Sequence, residues 1–181
     1  ILKAKYYYEL AAEQNNKNAN YFLGFLYYTD FGDYRKAINY LEIASQENSY
    51  ASKLLGKIYF HGQEIQQDYM KAKHYYELSA SMNNSGALVK LGKMYFRGKG
   101  VEKNLLKARE YYEMAIKYNN PNALYYLSQL YSTEDSVGID ISKSMNYLLK
   151  CIQIHFEKRN LYQQSTKNFF VYSICNKYHY H

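Results

Sequence analysis

The chain has 181 residues, of which 48% are hydrophobic and 22% charged, with one Pro and nine Gly. This composition suits one domain of ordinary size and excludes a disordered or collagen-like chain. No run of about 18 apolar residues marks a membrane-crossing helix, and two Cys cannot build a disulfide framework.

The formal net charge of +7 is uneven: residues 1–90 hold 10 Lys+Arg against 9 Asp+Glu, and residues 91–181 hold 13 against 7. A basic half of this kind attracts acidic partners or forms a solvated face. The first residue is Ile, and Ile1-Leu2-Lys3-Ala4 reads as helix interior. The sequence is therefore expected to be a piece of a longer chain, with any leader upstream.

The first element is Lys3-Ala4-Lys5-Tyr6-Tyr7-Tyr8-Glu9-Leu10-Ala11-Ala12. Next comes Ala19…Leu23-Gly24…Tyr27, with small or apolar residues at offsets 0, 4, 5 and 8. That is the helical period rather than strand alternation. After a short loop, Asp30-Phe31-Gly32-Asp33, the first element returns as Lys36-Ala37 with Tyr40 and Glu42. The second element returns as Ala51…Leu55-Gly56…Tyr59, and the first as Lys71-Ala72-Lys73-His74-Tyr75-Tyr76-Glu77. Another round reads Ala87…Leu91-Gly92…Tyr95, then Lys107-Ala108-Arg109-Glu110-Tyr111-Tyr112-Glu113. The last is weaker: Ala123…Leu127-Ser128…Tyr131, then Lys143-Ser144 with Tyr147. Anchors 4, 37, 72, 108 and 144 lie 33, 35, 36 and 36 residues apart. Five phased copies mark a repeat.

The linkers carry helix stop and restart signals, such as Asn83-Asn84-Ser85-Gly86 and Asn119-Asn120-Pro121-Asn122, with Pro121 suited to an early helical position. Gly24, Gly56 and Gly92 fall inside a predicted helix, where Gly costs up to about 1 kcal/mol relative to Ala. A recurrent cost at one column implies a recurrent benefit, and close approach of the neighbouring helix supplies one.

The column pattern resembles the Sel1-like repeat, a relative of the tetratricopeptide repeat. The best copy runs Ala87, Leu91-Gly92, Tyr95, Gly98-Lys99-Gly100-Val101, Lys107-Ala108, Tyr111-Tyr112 and Ala115. The resemblance covers residues 3 to about 152 and implies an all-α, right-handed solenoid of antiparallel helix pairs. One pair cannot bury its apolar face, whereas a stack of three can. The predicted organisation is a repeat solenoid over 1–157. It comprises a half repeat 1–17, repeats 18–49, 50–85 and 86–121, and a degenerate repeat 122–157. The tail, 158–181, matches no repeat; Phe169-Phe170-Val171-Tyr172 and Ile174, with Ser165 as a cap, predict a C-terminal capping helix within 160–178.

Candidate chemistry is sparse. Gly98-Lys99-Gly100 follows a helix and belongs to the repeat, so it is not read as a phosphate loop. Cys151 falls in the small-residue column of Ala11, Ala44, Ser79 and Ala115 and is assigned to packing, and Cys175 has no companion at metal-ligand spacing. Of the five His, only His179 and His181 are spaced for a metal, and no metal or cofactor is expected. Glu9, Glu42, Glu77 and Glu113 recur once per repeat, which reads as structural rather than as an acid/base pair. Twelve of the 25 Tyr fall in repeat columns, at Tyr7, Tyr40, Tyr75, Tyr111 and Tyr147, at Tyr27, Tyr59, Tyr95 and Tyr131, and at Tyr8, Tyr76 and Tyr112. The other 13 serve interfaces or reflect an AT-rich genome.

In tetratricopeptide-like solenoids the first helix of each pair lines the concave face. Offsets 2, 3, 6 and 10 from its Ala avoid the packing columns. They select Tyr21, Phe22, Phe25 and Thr29, then Lys53, Leu54, Lys57 and His61. The third helix contributes Val89, Lys90, Lys93 and Arg97, and the fourth Tyr125, Tyr126, Gln129 and Thr133. A groove aromatic at both ends and basic in the middle is expected to take an acidic or carboxylate-ended peptide, with Lys57 and Lys93 as charge partners. The resemblance implies a non-enzymatic protein–protein interaction scaffold or adaptor. Two alternatives stand beside it: an RNA-binding helical repeat, and a component that self-assembles through the open N-terminal half repeat. Against RNA, most of the lysine excess is expected outside the groove. Against β-lactam hydrolysis, linked to cysteine-rich members with a Cys pair per repeat, stand two Cys in all. With no visible signal, the cytoplasm is the favoured compartment.

Overall fold

A computed structural model describes residues 1–14, 16–62, 64–133 and 139–177, without the side chains of residues 158 and 161–177. All secondary structure among the described residues is helical. The helices are α1 (Leu2–Glu13), α2 (Lys17–Leu26), α3 (Tyr34–Ala44), α4 (Ser49–His61), α5 (Tyr69–Ser81), α6 (Ser85–Arg97), α7 (Leu105–Lys117), α8 (Asn122–Ser132) and α9 (Ile141–Lys177). The chain forms two compact units, residues 1–123 and 124–181.

Helices α2 to α7 each start where the sequence supplies an acceptor. Asn16, Asn48 and Asn84 cap α2, α4 and α6, and Asp33, Asp68 and Asn104 cap α3, α5 and α7. In each case the side-chain oxygen takes a backbone N–H that has no partner in the first turn. The capping asparagines also link successive pairs: Asn84 Nδ2 donates to Ser49 Oγ at 3.2 Å and Asn120 Nδ2 to Ser85 Oγ at 3.4 Å. Asn120 Oδ1 accepts from Asn122 N, which leaves Pro121 at the first turn, where a missing N–H costs nothing. Asn83 and Asn119, at φ of 60° and 59°, turn the chain out of α5 and α7 through the left-handed region that Asn tolerates.

In unit 1, α2 packs on α3, α4 on α5 and α6 on α7, and the pairs join through α3–α4 and α5–α6. This is a solenoid of helix pairs, with Leu23, Leu41, Leu55, Tyr76, Leu91 and Met94 among its buried side chains. The glycine column shows why it tolerates a poor helix former. A Cβ on Gly24 would stand 2.5 Å from Leu41 Cγ, and one on Gly56 would stand 2.5 Å from Tyr76 Cδ1. Gly92 faces the Tyr112 ring in the same way. Each glycine is the seat for a large side chain of the next helix, as the sequence predicts.

Two details depart from the simple pattern. The short loop of the first copy is absorbed by a π-helical turn, Tyr27–Phe31, before Gly32 reverses the chain and Asp33 caps α3. At the other end, the chain is helical through 160–177, but as the far part of one 37-residue helix beginning at Ile141. Ser165 therefore lies inside α9 and does not start a separate helix. No Pro or Gly interrupts residues 141–177, so nothing breaks the hydrogen-bond ladder there. The side chains expected to do the capping lie outside the described residues.

Candidate functional site

The tyrosine columns resolve into a repeated stack. Within unit 1, Tyr27 stacks on Tyr40 at 5.6 Å between ring centroids, Tyr59 on Tyr75 at 5.7 Å and Tyr95 on Tyr111 at 5.6 Å. A lysine ammonium lies over the first ring of each: Lys36 at 5.5 Å, Lys71 at 5.0 Å and Lys107 at 5.3 Å. Unit 2 repeats the device with Tyr131, Tyr147 and Lys143. The recurrent glutamates serve these stacks. Glu42 Oε1 accepts from Tyr75 Oη at 3.1 Å and Tyr59 Oη at 3.5 Å. Lys5–Glu9 and Lys73–Glu77 pair at 3.2 and 2.9 Å, while Ile38 occupies the lysine position before Glu42. Burial first, and then the Glu42 charge, pushes the Tyr75 phenol well above its ordinary range. Glu42 thus ties its repeat to the next.

A different set of side chains is left open on the first helices of unit 1. Tyr21, Phe22, Phe25 and Tyr50 form one aromatic cluster, with Tyr21 5.2 Å from Phe22 and 6.2 Å from both Phe25 and Tyr50. Tyr8 of α1 stacks on Phe22 at 5.2 Å. Phe22, Phe25 and Tyr50 are exposed. The basic row begins where the aromatics end: Lys53 Nζ lies 4.9 Å from the Tyr50 ring and Lys57 Nζ 5.1 Å from the Tyr28 ring. Lys90 and Lys93 follow on α6, and Arg97 is exposed at its end.

The electrostatics of the row follow from its composition. Helices α2, α4 and α6 carry five Lys and one Arg and no Asp or Glu. Residues 1–123 as a whole hold 17 Lys+Arg against 12 Asp+Glu, a net of +5. The positive excess of unit 1 therefore sits on its first helices, which corrects the expectation that most of it lies elsewhere. Burial lowers the Lys90 pKa, and Lys93, Lys57 and Lys53 lower it further. Burial also lowers that of Lys53. His61 is lowered first by desolvation and then by Lys90, Lys57, Lys99 and Lys93. Half-buried like charges held together in this way gain from an anion.

Among the residues selected from sequence, the structure brings Tyr21, Phe22 and Phe25 together and sets Lys53, Lys57, Lys90 and Lys93 as neighbours. Leu54 and Val89, at 8% and 7% exposure, belong to the core instead. Tyr125, Tyr126 and Gln129 lie in unit 2, where Tyr125 meets Tyr126 edge-on at 5.4 Å and Gln129 Nε2 donates to Tyr125 Oη at 3.0 Å. Tyr8, Tyr28 and Tyr50 were missed. Tyr50 was findable, because it precedes Lys53 and Lys57 by three and seven residues, on one helix face. Tyr8 and Tyr28 reach the face only through packing between helices.

No three His, Cys, Asp or Glu side chains converge as a metal site among the described residues. His179 and His181 lie outside them, as does the Cys175 side chain. Cys151 is buried, as its column predicts. His155 approaches it, yet His155 Nδ1 stands 2.8 Å from the Cys151 carbonyl oxygen. That geometry requires a proton on Nδ1, so this nitrogen is not a base toward the thiol 3.7 Å away. No helix among the described residues is long and apolar enough to cross a membrane.

The fold and this face define a helical repeat protein whose first helices in unit 1 carry aromatics and cations and no carboxylate. A family model of the Sel1 repeat matches residues 1–16, 17–49, 49–84, 85–117 and 121–150, and the chain belongs to that family. Its repeats commonly serve as protein–protein interaction scaffolds and are generally non-catalytic. Similar solved structures include a Sel1 repeat protein from Oxalobacter formigenes, at 23% identity and a TM-score of 0.74 over 82% of this chain and 61% of that one. A protective antigen of uropathogenic Escherichia coli strains matches at 23% identity and 0.73, over 82% of this chain and 33% of that one. Cysteine-rich protein B of Helicobacter pylori matches at 27% identity and 0.53, over 67% of this chain and 90% of that one. The chain thus spans about a third of the Escherichia antigen and 61% of the Oxalobacter protein. No curated protein sequence matches it.

Proposed function

We propose that the chain is a non-enzymatic scaffold or adaptor that binds an acidic protein segment along the first helices of unit 1. The segregation of charge carries this reading: the first helices of three repeats, α2, α4 and α6, present cations and aromatics with no carboxylate of their own. Among the described residues, no acid stands within ion-pair distance of Lys53, Lys57 or Lys90. A partner's carboxylates would supply the missing charge, with apolar side chains seated on Phe22, Phe25 and Tyr50. Part of the positive row is desolvated before binding, so each ion pair formed there loses less hydration than one on an open surface. Tyr125, Tyr126 and Gln129 are proposed as further partner contacts.

The test is an affinity capture from source material, read by mass spectrometry, with the parent and a Lys57→Glu/Lys93→Glu variant in parallel. Circular dichroism controls for folding. A protein held by the parent and lost by the variant is the expected result. A partner held equally by both refutes this face as the site. Binding of single-stranded RNA that collapses steeply between low and physiological salt would replace the scaffold reading with an RNA-binding one.

A further inference from the structure

One face of α9 breaks the repeat chemistry. In α1 and α3, the positions one and five residues after the column Ala reach the next repeat. Lys5 lies over Tyr27 at 5.8 Å, and Glu42 accepts both tyrosine hydroxyls of the following stack. These positions hold Lys5 and Glu9, Ile38 and Glu42, Lys73 and Glu77, and Arg109 and Glu113. In α9 they hold Met145 and Leu149.

Met145 and Leu149 are part of a longer apolar line. Ile141, Met145, Leu149, Ile152 and Phe156 are spaced 4, 4, 3 and 4 residues apart, the spacing of one helix face. All five are 54–64% exposed. The line extends about 22 Å along the helix. At this exposure each side chain offers roughly 100 Å² of apolar surface, about 500 Å² together, the size of the largest patch on a typical monomer, which is often functional.

We infer that this stripe is a homodimer interface, in which α9 of one copy packs antiparallel on α9 of a second. Three observations select that occupant. A helix pair of the tyrosine-stack type does not fit, because Leu149 cannot accept the phenol hydrogen bond that Glu42 accepts. The stripe is centred near Leu149, so a two-fold axis there sets the Ile141 end of one copy against the Phe156 end of the other. Such self-complementarity is what an isologous contact requires. Two stripes together bury about 1,000 Å², the size at which specific interfaces begin. This inference is independent of the acidic-partner reading, since the stripe contains none of the residues proposed to bind that partner.

The experiment is light scattering and sedimentation of the full chain across about 1–100 µM. The comparison is a Met145→Lys/Leu149→Glu variant, which introduces the charge pair found at these positions in α1, α5 and α7. Both positions are exposed on a helix, so the variant keeps the fold, and circular dichroism checks that. A dimer for the parent, and at least a tenfold weaker association for the variant at unchanged helicity, is the expected result. A parent that stays monomeric throughout overturns the inference. So does a dimer insensitive to the α9 change. An assembly lost instead on Leu10→Glu would place the contact at the exposed α1 face and also overturn it.

Discussion

Replacing Gly56 with Ala tests the packing logic of the whole solenoid. Helix propensity alone favours Ala inside α4 by about 1 kcal/mol. The structure opposes this. The new Cβ would lie 2.5 and 2.6 Å from Cδ1 and Cε1 of Tyr76 and 3.0 Å from its Cγ. Carbon atoms rest at about 3.5–4.0 Å, so the ring must retreat by about 1 Å. Tyr76 is 1% exposed, enclosed between α4 and its own helix's neighbours rather than free to swing into solvent. Overpacking of this kind costs about 1–3 kcal/mol, and a rigid ring held between two helices belongs at the upper end. The net expectation is a loss of about 1–2 kcal/mol, or a fall in Tm of about 3–6 °C for a chain of this size. Urea and thermal unfolding followed by circular dichroism would measure it. The same change in a Tyr76→Ala background should stabilise by about 1 kcal/mol, because the clash is gone and the propensity gain remains. The reasoning fails if Gly56→Ala raises the Tm of the parent, or if it has the same effect in both backgrounds.

Two further outcomes follow from the geometry. Tyr21, Tyr40, Tyr59, Tyr75, Tyr76 and Tyr111 are all held above the ordinary phenol range, with burial the first cause at each. Their folded forms keep the proton while the unfolded chain releases it near pH 10, so stability is full below that pH and falls as the pH rises through the folded values. Phenolate absorbance should therefore rise in a late step that coincides with unfolding, and smooth titration of every Tyr in the folded protein would contradict this. Separately, Asn84→Ala removes the α6 cap at Ala87 N and the link to Ser49. It should cost about 1–2 kcal/mol by urea unfolding, and an unchanged midpoint would show that the asparagine link carries no stability.

Much of the architecture is written locally. The phased Lys-Ala and Leu-Gly columns, the Asn and Asp caps and the absence of Pro from helix interiors each act within a few residues, so sequence alone determined the repeat helices and their pairing, but not that the segment expected as a separate capping helix continues the last of them. The glycine column was legible too, because a recurrent propensity cost implies a recurrent neighbour. Sequence also placed Tyr21, Phe22, Phe25, Lys53, Lys57, Lys90 and Lys93 on one helix face each. It did not show that Leu54 and Val89 turn inward, because the width of the buried stripe depends on how closely the next helix approaches.

The tertiary structure decided what crosses from one helix to another. Tyr8 joins Phe22, and Tyr28 receives Lys57, through interhelical packing that no spacing rule within one element encodes. Glu42 takes two phenols because Ile38 leaves it without a lysine four residues earlier, and only the arrangement of α3, α4 and α5 shows where those hydroxyls stand. The lysine row became a site in the same way: Lys53, Lys57, Lys90 and Lys93 are spread along the sequence and carry no meaning until the packed helices make them electrostatic neighbours. Local hydrogen-bonding and propensity fix where helices begin and end; burial, ring stacking and electrostatic crowding depend on distances that exist only once the helices are packed.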